Sequence, residues 1–141
     1  MLRIIFLDFD GVLHPTSAGA SDLCSRSRLL AEVLAGVECD IIISSSWRHH
    51  DHLSDIIARL PSSLQPLVRG ATGDPFIGRW PRYNEIMTYL RHHHGLGASW
   101  RALDDSLIEF PPNCPELIAC NPNVGFDVAQ AKKLRLWLER R

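Results

Sequence analysis

The sequence predicts an α/β protein, a doubly wound parallel sheet in three layers with helices on both faces. Three observations carry that reading. Strand-like and helix-like patterns alternate along almost the whole chain, as crossovers between parallel strands require. Residues 40–46, DIIISSS, hold three consecutive isoleucines, the mark of a strand buried on both faces. Two further apolar runs stop at paired acids, Asp8 with Asp10 and Asp104 with Asp105. In a parallel sheet the carboxyl ends of the strands share one edge, and ligands bind there. The acids are therefore expected to converge, although almost a hundred residues separate the first from the last.

With 141 residues, one domain over 1–141 is expected, long enough to bury a core. A content of 45% hydrophobic and 22% charged residues suits a soluble globular protein. The net charge of −1 gives no general pull toward nucleic acid. The basic run Lys132, Lys133, Arg135, Arg140 and Arg141 reads as a solvated helix face. Cys24, Cys39, Cys114 and Cys120 show no C-x-x-C spacing and are taken as reduced packing residues. The apolar run before Asp8 is too short for a signal peptide, and no stretch reaches membrane-spanning length, so a cytoplasmic protein without membrane contact is expected.

The first strand is Ile4, Ile5, Phe6 and Leu7, β-branched and aromatic in character. It ends abruptly in Asp8-Phe9-Asp10-Gly11. The two acids at alternate positions face one way in an extended chain, and Gly11 lets the backbone leave with unusual dihedrals. As plain turn residues they would need no further explanation, since Asp-Gly is a common turn signal. Residues 22–34 read as a helix, with Ser21 or Asp22 as cap, Leu23, Leu29, Leu30, Val33 and Leu34 as its buried stripe, and Gly36 as its stop.

After the second strand, Ser44, Ser45 and Ser46 lead into a helix expected at 48–60, opened by Trp47 and Arg48 and closed by Pro61. A hydroxyl followed by free N–H groups at such a junction can cradle an oxyanion or simply cap the helix. Residues 67–69 suggest a short third strand and 70–75 a loop. A helix follows at 83–93 with Ile86, Met87 and Leu90 inward, preceded by Arg79, Trp80, Pro81 and Arg82. Residues 100–105, WRALDD, form the fourth strand and 117–120 a fifth. Residues 128–138 close the chain as a helix, with Ala131, Leu134, Leu136 and Leu138 available for packing.

Taken together, these pieces resemble the haloacid dehalogenase-like superfamily. Its first motif is an apolar strand followed by D-x-D-G-[VT]-L, here Asp8-Phe9-Asp10-Gly11-Val12-Leu13. The second motif, a strand ending in Thr or Ser, is matched by Ser44. The third, a Lys or Arg near the start of the helix before the fourth strand, falls on Arg82 first and Arg79 second. The fourth, an apolar strand followed by D-D, is matched by Asp104 and Asp105. The wording D-x-D-G-V-L-H-P and S-S-W-R is also similar to a small subgroup associated with RNA repair. No Gly precedes the Asp104-Asp105 pair, and the third motif lacks the usual Lys.

The resemblance implies a Rossmann-like core and a Mg²⁺-dependent phosphatase. Asp8 would be the nucleophile and Asp10 the general acid and base. Asp8, the backbone carbonyl of Asp10, and Asp104 or Asp105 would hold the metal. Ser44, Ser45 and Arg82 or Arg79 would bind the phosphoryl group. Hard oxygen ligands suit Mg²⁺, and crowded carboxylates need a cation in any case. Asp at the second position of D-x-D favours phosphoryl transfer over C–halogen chemistry.

Only 33 residues separate Asp10 from Ser44, and 37 separate Ser44 from Arg82, so no sizeable cap is expected. Uncapped members act on large phosphorylated substrates, such as a phosphoprotein or a nucleic-acid end, or gain a lid by oligomerisation. His14 sits just beyond the first motif and is a minor candidate for placing substrate. His49, His50 and His52, and His92, His93 and His94, read as surface or helix-end residues, because consecutive side chains on a helix diverge. The competing readings are a binding or regulatory module with little turnover, a phosphotransferase, and a receiver-like domain.

Overall fold

The structure is a computed structural model that describes residues 2–19, 23–93 and 97–140. Five parallel strands form its centre: β1 (Arg3–Leu7), β2 (Asp40–Ile43), β3 (Val68–Ala71), β4 (Ser99–Asp104) and β5 (Leu117–Ala119), in the order β3-β2-β1-β4-β5. The helices are α1 (Ser27–Leu34), α2 (Leu53–Ala58), α3 (Pro81–His93) and α4 (Val128–Leu138). Sequence order reverses about β1, which puts the acid-bearing ends of β1 and β4 side by side. This is the switch point of a doubly wound sheet, where a crevice opens beyond the strands.

The period of two along each strand sorts side chains between two cores. Ile5, Leu7, Ile41, Ile43, Leu103 and Ile118 face one core, completed by Leu30, Val33 and Leu34 of α1, Ile56 of α2, and Ala131, Leu134 and Trp137 of α4. Ile4, Phe6, Ile42, Trp100 and Ala102 face the other, against Ile86, Tyr89 and Leu90 of α3. Phe6 anchors this second core, meeting Tyr89 and Trp100 edge-on at 5.8 Å each. Three layers result, as the isoleucine run required. No cap is inserted among the described residues, and no helix there is long and apolar enough to cross a membrane.

Several element ends differ from expectation. The first helix begins at Ser27 rather than 22, because residues 23–26 turn, with Cys24 at φ 59°. Leu23 is consequently exposed, while the expected cap, Ser21 or Asp22, lies outside the described residues. Pairing of β2 stops at Ile43 rather than at residue 46. The helix expected at 48–60 is two pieces, a tight turn over Ser46–His49 and then α2, separated by the extended backbone of His52.

Gly70 and Ala71, expected in a loop, pair with Ile42 and Ile43, so the neighbouring strand sets the length of β3. α3 starts two residues early because Pro is tolerated at a first helical position, and this brings Arg82 into the first turn. α4 has the expected bounds, fixed by a capping box between Asp127 and Gln130. Its inward seam passes through Trp137, whose indole N–H donates to Ser99 Oγ at 2.9 Å, and Leu136 is exposed.

Candidate active site

Asp8 follows β1 directly. Its backbone N–H still donates to Leu103 O at 3.1 Å, so the carboxylate leaves the sheet at its carboxyl edge. The side chain is buried, and its Oδ1 accepts from Phe9 N at 2.8 Å. Phe9 turns into the core, and Val12 and Leu13 donate to its carbonyl at 3.1 and 2.9 Å to close a tight loop. Gly11, at φ 77°, is required twice over. A side chain would be strained there, and a Cβ would overlap the Asp105 carboxylate. The D-x-D-G wording therefore lets the ends of β1 and β4 touch.

Asp104 ends β4 and is buried, with Oδ1 accepting from Ser106 N at 3.0 Å, and Asp105 comes next in the chain. One carboxylate oxygen from each of Asp8, Asp104 and Asp105 lies within 4.8 Å of the others. Burial and the Asp104 charge raise the pKa of Asp8 well above its ordinary value. Burial raises that of Asp104 to about 7, against an opposing pull from Arg82. Ionising all three acids calls for more positive charge than a single guanidinium supplies.

That guanidinium belongs to Arg82. Its Nη1 is 3.6 Å from Asp8 Oδ1 and 3.5 Å from Asp104 Oδ2, its Nη2 is 3.8 Å from Glu109 Oε2, and Nη1 also donates to the Ser44 carbonyl. Burial lowers the pKa of Arg82, but the charges of Asp104, Asp8, Glu109 and Glu85 outweigh it, and the net shift is upward. Arg79 is exposed and lies over the Trp80 ring at 5.5 Å, so of the two expected cations the fold brings Arg82 to the acids. Among the described residues, Arg79 forms no ion pair with them.

Ser44, just past β2, is buried, and its hydroxyl has no partner among the described residues. An orphaned buried donor at the strand edge fits an incoming phosphoryl oxygen. Ser45 is placed differently. Its Oγ accepts from Trp47 N at 3.3 Å and caps the turn over Ser46–His49, which leaves its O–H to donate. Thr72, beside Ser44 at the end of β3, also carries an unpartnered buried hydroxyl, a position that strand-end reading of a mislocated β3 could not find.

The side chain of Asp10 stands outside the three-acid group and is half exposed. Its Oδ1 is 2.8 Å from His14 Nε2, and its Oδ2 accepts from Trp47 Nε1 at 3.0 Å. His14, expected at the mouth, is instead buried beneath Asp10. Two other residues went unnoticed in the sequence. Glu85 of α3 makes a buried ion pair with Arg48 at 2.7 Å and accepts from Phe76 N at 3.1 Å, tying the loop before α3 to the chain after β2. Glu109 is the third acid on Arg82. Neither stands in a strand-end motif, and each meets its partner only through the fold.

Residues 4–131 match the family model described as the HAD domain in Swiss Army Knife RNA repair proteins. The chain belongs to that family. No curated protein and no solved structure gives a significant match. HAD membership gives the protein a phosphohydrolase-type fold, and HAD domains generally use Mg²⁺. In this HAD chain, the donor set passes a chemical test for that ion. Three hard carboxylates gather at the sheet edge, and burial disfavours the charged form of two of them, a cost that a small divalent cation would offset.

Proposed function

We propose that the protein is a Mg²⁺-dependent phosphomonoester hydrolase working through an aspartyl-phosphate on Asp8. The observation that carries this reading is the juxtaposition of Asp8, Asp104 and Asp105 with Arg82 and the unpartnered Ser44 hydroxyl. Asp8, Asp104 and Asp105, with the backbone carbonyl of Asp10, would hold the ion. Bound there, Mg²⁺ supplies charge neutralisation of the phosphoryl oxygens and of the acids themselves.

An Asp8 carboxylate oxygen attacks phosphorus, and the bond from phosphorus to the ester oxygen breaks. Asp10 gives that oxygen a proton as it leaves. Arg82 and Ser44 bind the phosphoryl oxygens while charge develops on them. Water then attacks the phosphorus of the aspartyl-phosphate, Asp10 takes its proton, and the Asp8 carboxylate departs with both electrons of its bond. The uncapped edge admits a bulky phosphate ester. Between a phosphoprotein and a phosphorylated nucleic-acid end, the family's association with RNA repair favours the second.

Hydrolysis of p-nitrophenyl phosphate and of a 3′- or 5′-phosphorylated oligoribonucleotide, each with Mg²⁺ or EDTA, tests the reading. Turnover should need the metal and fall by more than about 1,000-fold in Asp8→Asn. A purified, folded protein that hydrolyses neither, or an Asp8→Asn variant with undiminished activity, would overturn it.

A further inference from the structure

Asp10 is held by a clamp that the motif alone does not foretell. His14 is buried, and its Nδ1 accepts a hydrogen bond from the backbone N–H of Cys24 at 3.0 Å. An imidazole nitrogen that accepts carries no proton, so in the neutral ring the proton resides on Nε2. Nε2 is the atom 2.8 Å from Asp10 Oδ1, and it therefore donates. The other oxygen, Oδ2, receives the Trp47 indole N–H, which can only donate. Each carboxylate oxygen thus accepts one N–H and keeps a further lone pair, so the side chain is held in one orientation while it can still take or give a proton.

The donors are themselves fixed. The Trp47 ring packs on Phe9 at 4.9 Å and near His14 at 5.7 Å, and the Arg59 guanidinium lies 4.8 Å over it. Phe9 is fully buried between the two acids of the motif. The register of Trp47 is set by the Ser45 cap, two residues after β2 ends hydrogen-bonded to β1. His14 is set by the loop, where Gly11 N donates to His14 O at 2.9 Å. Two segments of the chain, around residues 14 and 47, meet on the Asp10 carboxylate, and a third, at Cys24, holds the His14 ring.

From this we infer that His14 and Trp47 are positioning residues for Asp10, fixing its carboxylate in the one orientation from which it gives and takes a proton, a role that an aryl ester isolates in hydrolysis of the aspartyl-phosphate. The inference rests on the phosphatase reading of Asp8 and Asp10. In the step concerned, water oxygen bonds to phosphorus, its proton passes to Asp10, and the Asp8 carboxylate leaves. Release of an aryl oxide in the first step needs no proton, because that leaving group is stable as an anion. Loosening the clamp should therefore slow the second step selectively when an aryl ester is the substrate.

The test uses the full chain with Mg²⁺ and p-nitrophenyl phosphate, comparing the wild type with Trp47→Phe, His14→Ala and His14→Gln. Phenylalanine keeps a ring on Phe9 but has no N–H, and glutamine places an amide N–H where Nε2 stood. Trp47→Phe and His14→Ala should lose about 10-fold in kcat with KM falling alongside, so that kcat/KM changes less than about twofold. A burst of nitrophenol and acid-trapped phosphoenzyme should accompany the loss, and His14→Gln should recover most of the rate.

As a readout independent of turnover, the Trp47 indole N–H resonance of ¹⁵N-labelled protein should move upfield in Asp10→Ala as its hydrogen bond is lost. Circular dichroism verifies that each variant folds, and should one fail, the Gln variant and the indole resonance decide. Wild-type kcat without phosphoenzyme accumulation in both clamp variants, in a protein whose Asp8→Asn form is dead, would overturn the inference alone. A wild type that never acquires phosphate on Asp8 would overturn the phosphatase reading, and this assignment with it.

Discussion

Asp8 and Asp10 lie two residues apart on one short loop, yet their surroundings are opposite. Asp8 is buried among like charges, with Arg82 as the cation beside it. Asp10 is half exposed and receives neutral N–H donors on both oxygens. One site crowds acids around a single guanidinium, while the other presents a carboxylate whose orientation is fixed from both sides. The difference teaches that the motif fixes where two acids sit, while contacts from α3, β4 and the turn after β2 decide what each can do.

The sharpest way to break this contrast is to remove the cation beside Asp8. Arg82→Ala should lower kcat/KM by about 100- to 1,000-fold, and Arg82→Lys should restore only part, because a single ammonium cannot span Asp8, Asp104 and a phosphoryl oxygen as the guanidinium does. Steady-state kinetics with p-nitrophenyl phosphate checks both. Ser44→Ala, which deletes one donor from the same pocket, should cost about 10-fold in kcat/KM in that assay. Loss of activity in Arg79→Ala as large as in Arg82→Ala would reverse the assignment of the phosphate-binding cation. A change under twofold is expected there, since Arg79 lies over Trp80 at the surface.

The burial of Asp8 and Asp104 sharpens the comparison through stability. Each has a pKa raised on folding, Asp104 to about 7. The protonated acid is the form the fold prefers, so the associated stability is complete below the ordinary carboxylate range and is lost as pH rises through about 7. Metal-free protein should melt higher at pH 5 than at pH 8, and Mg²⁺ should raise the midpoint most at pH 8. In a domain of this size, a shift of about 3–6 °C corresponds to about 1 kcal/mol. Differential scanning calorimetry with EDTA or Mg²⁺ measures it, and Asp104→Asn should reduce the pH dependence while Asp8, raised chiefly by its own burial, keeps the rest.

Much of this was legible along the chain. Strands that pair in parallel must be buried on both faces, and the run Ile41, Ile42 and Ile43 announces that without knowledge of its neighbours. The D-x-D-G and D-D wordings mark the ends of β1 and β4 because charge cannot continue into a sheet interior. Boundaries were read less well where a neighbour sets them. Gly70 and Ala71 join β3 through the register of β2, and the helix expected at 48–60 is broken at His52. Leu136 and Trp137 exchange places because the seam of α4 follows Ala131 and Leu134 at helical spacing.

What the sequence determined by itself is therefore the layered α/β plan and the acids at its edge, since both follow from local rules: a period of two, a buried apolar run, and the cost of burying charge. The tertiary structure alone brought Arg82 rather than Arg79 beside the acids and placed Trp47 on Asp10. Those outcomes depend on side chains more than thirty positions apart reaching a common point, as Trp47 does to Asp10 and Arg82 to Ser44. No spacing rule encodes such a meeting, because it is set by how α3 and the turn after β2 pack against the sheet.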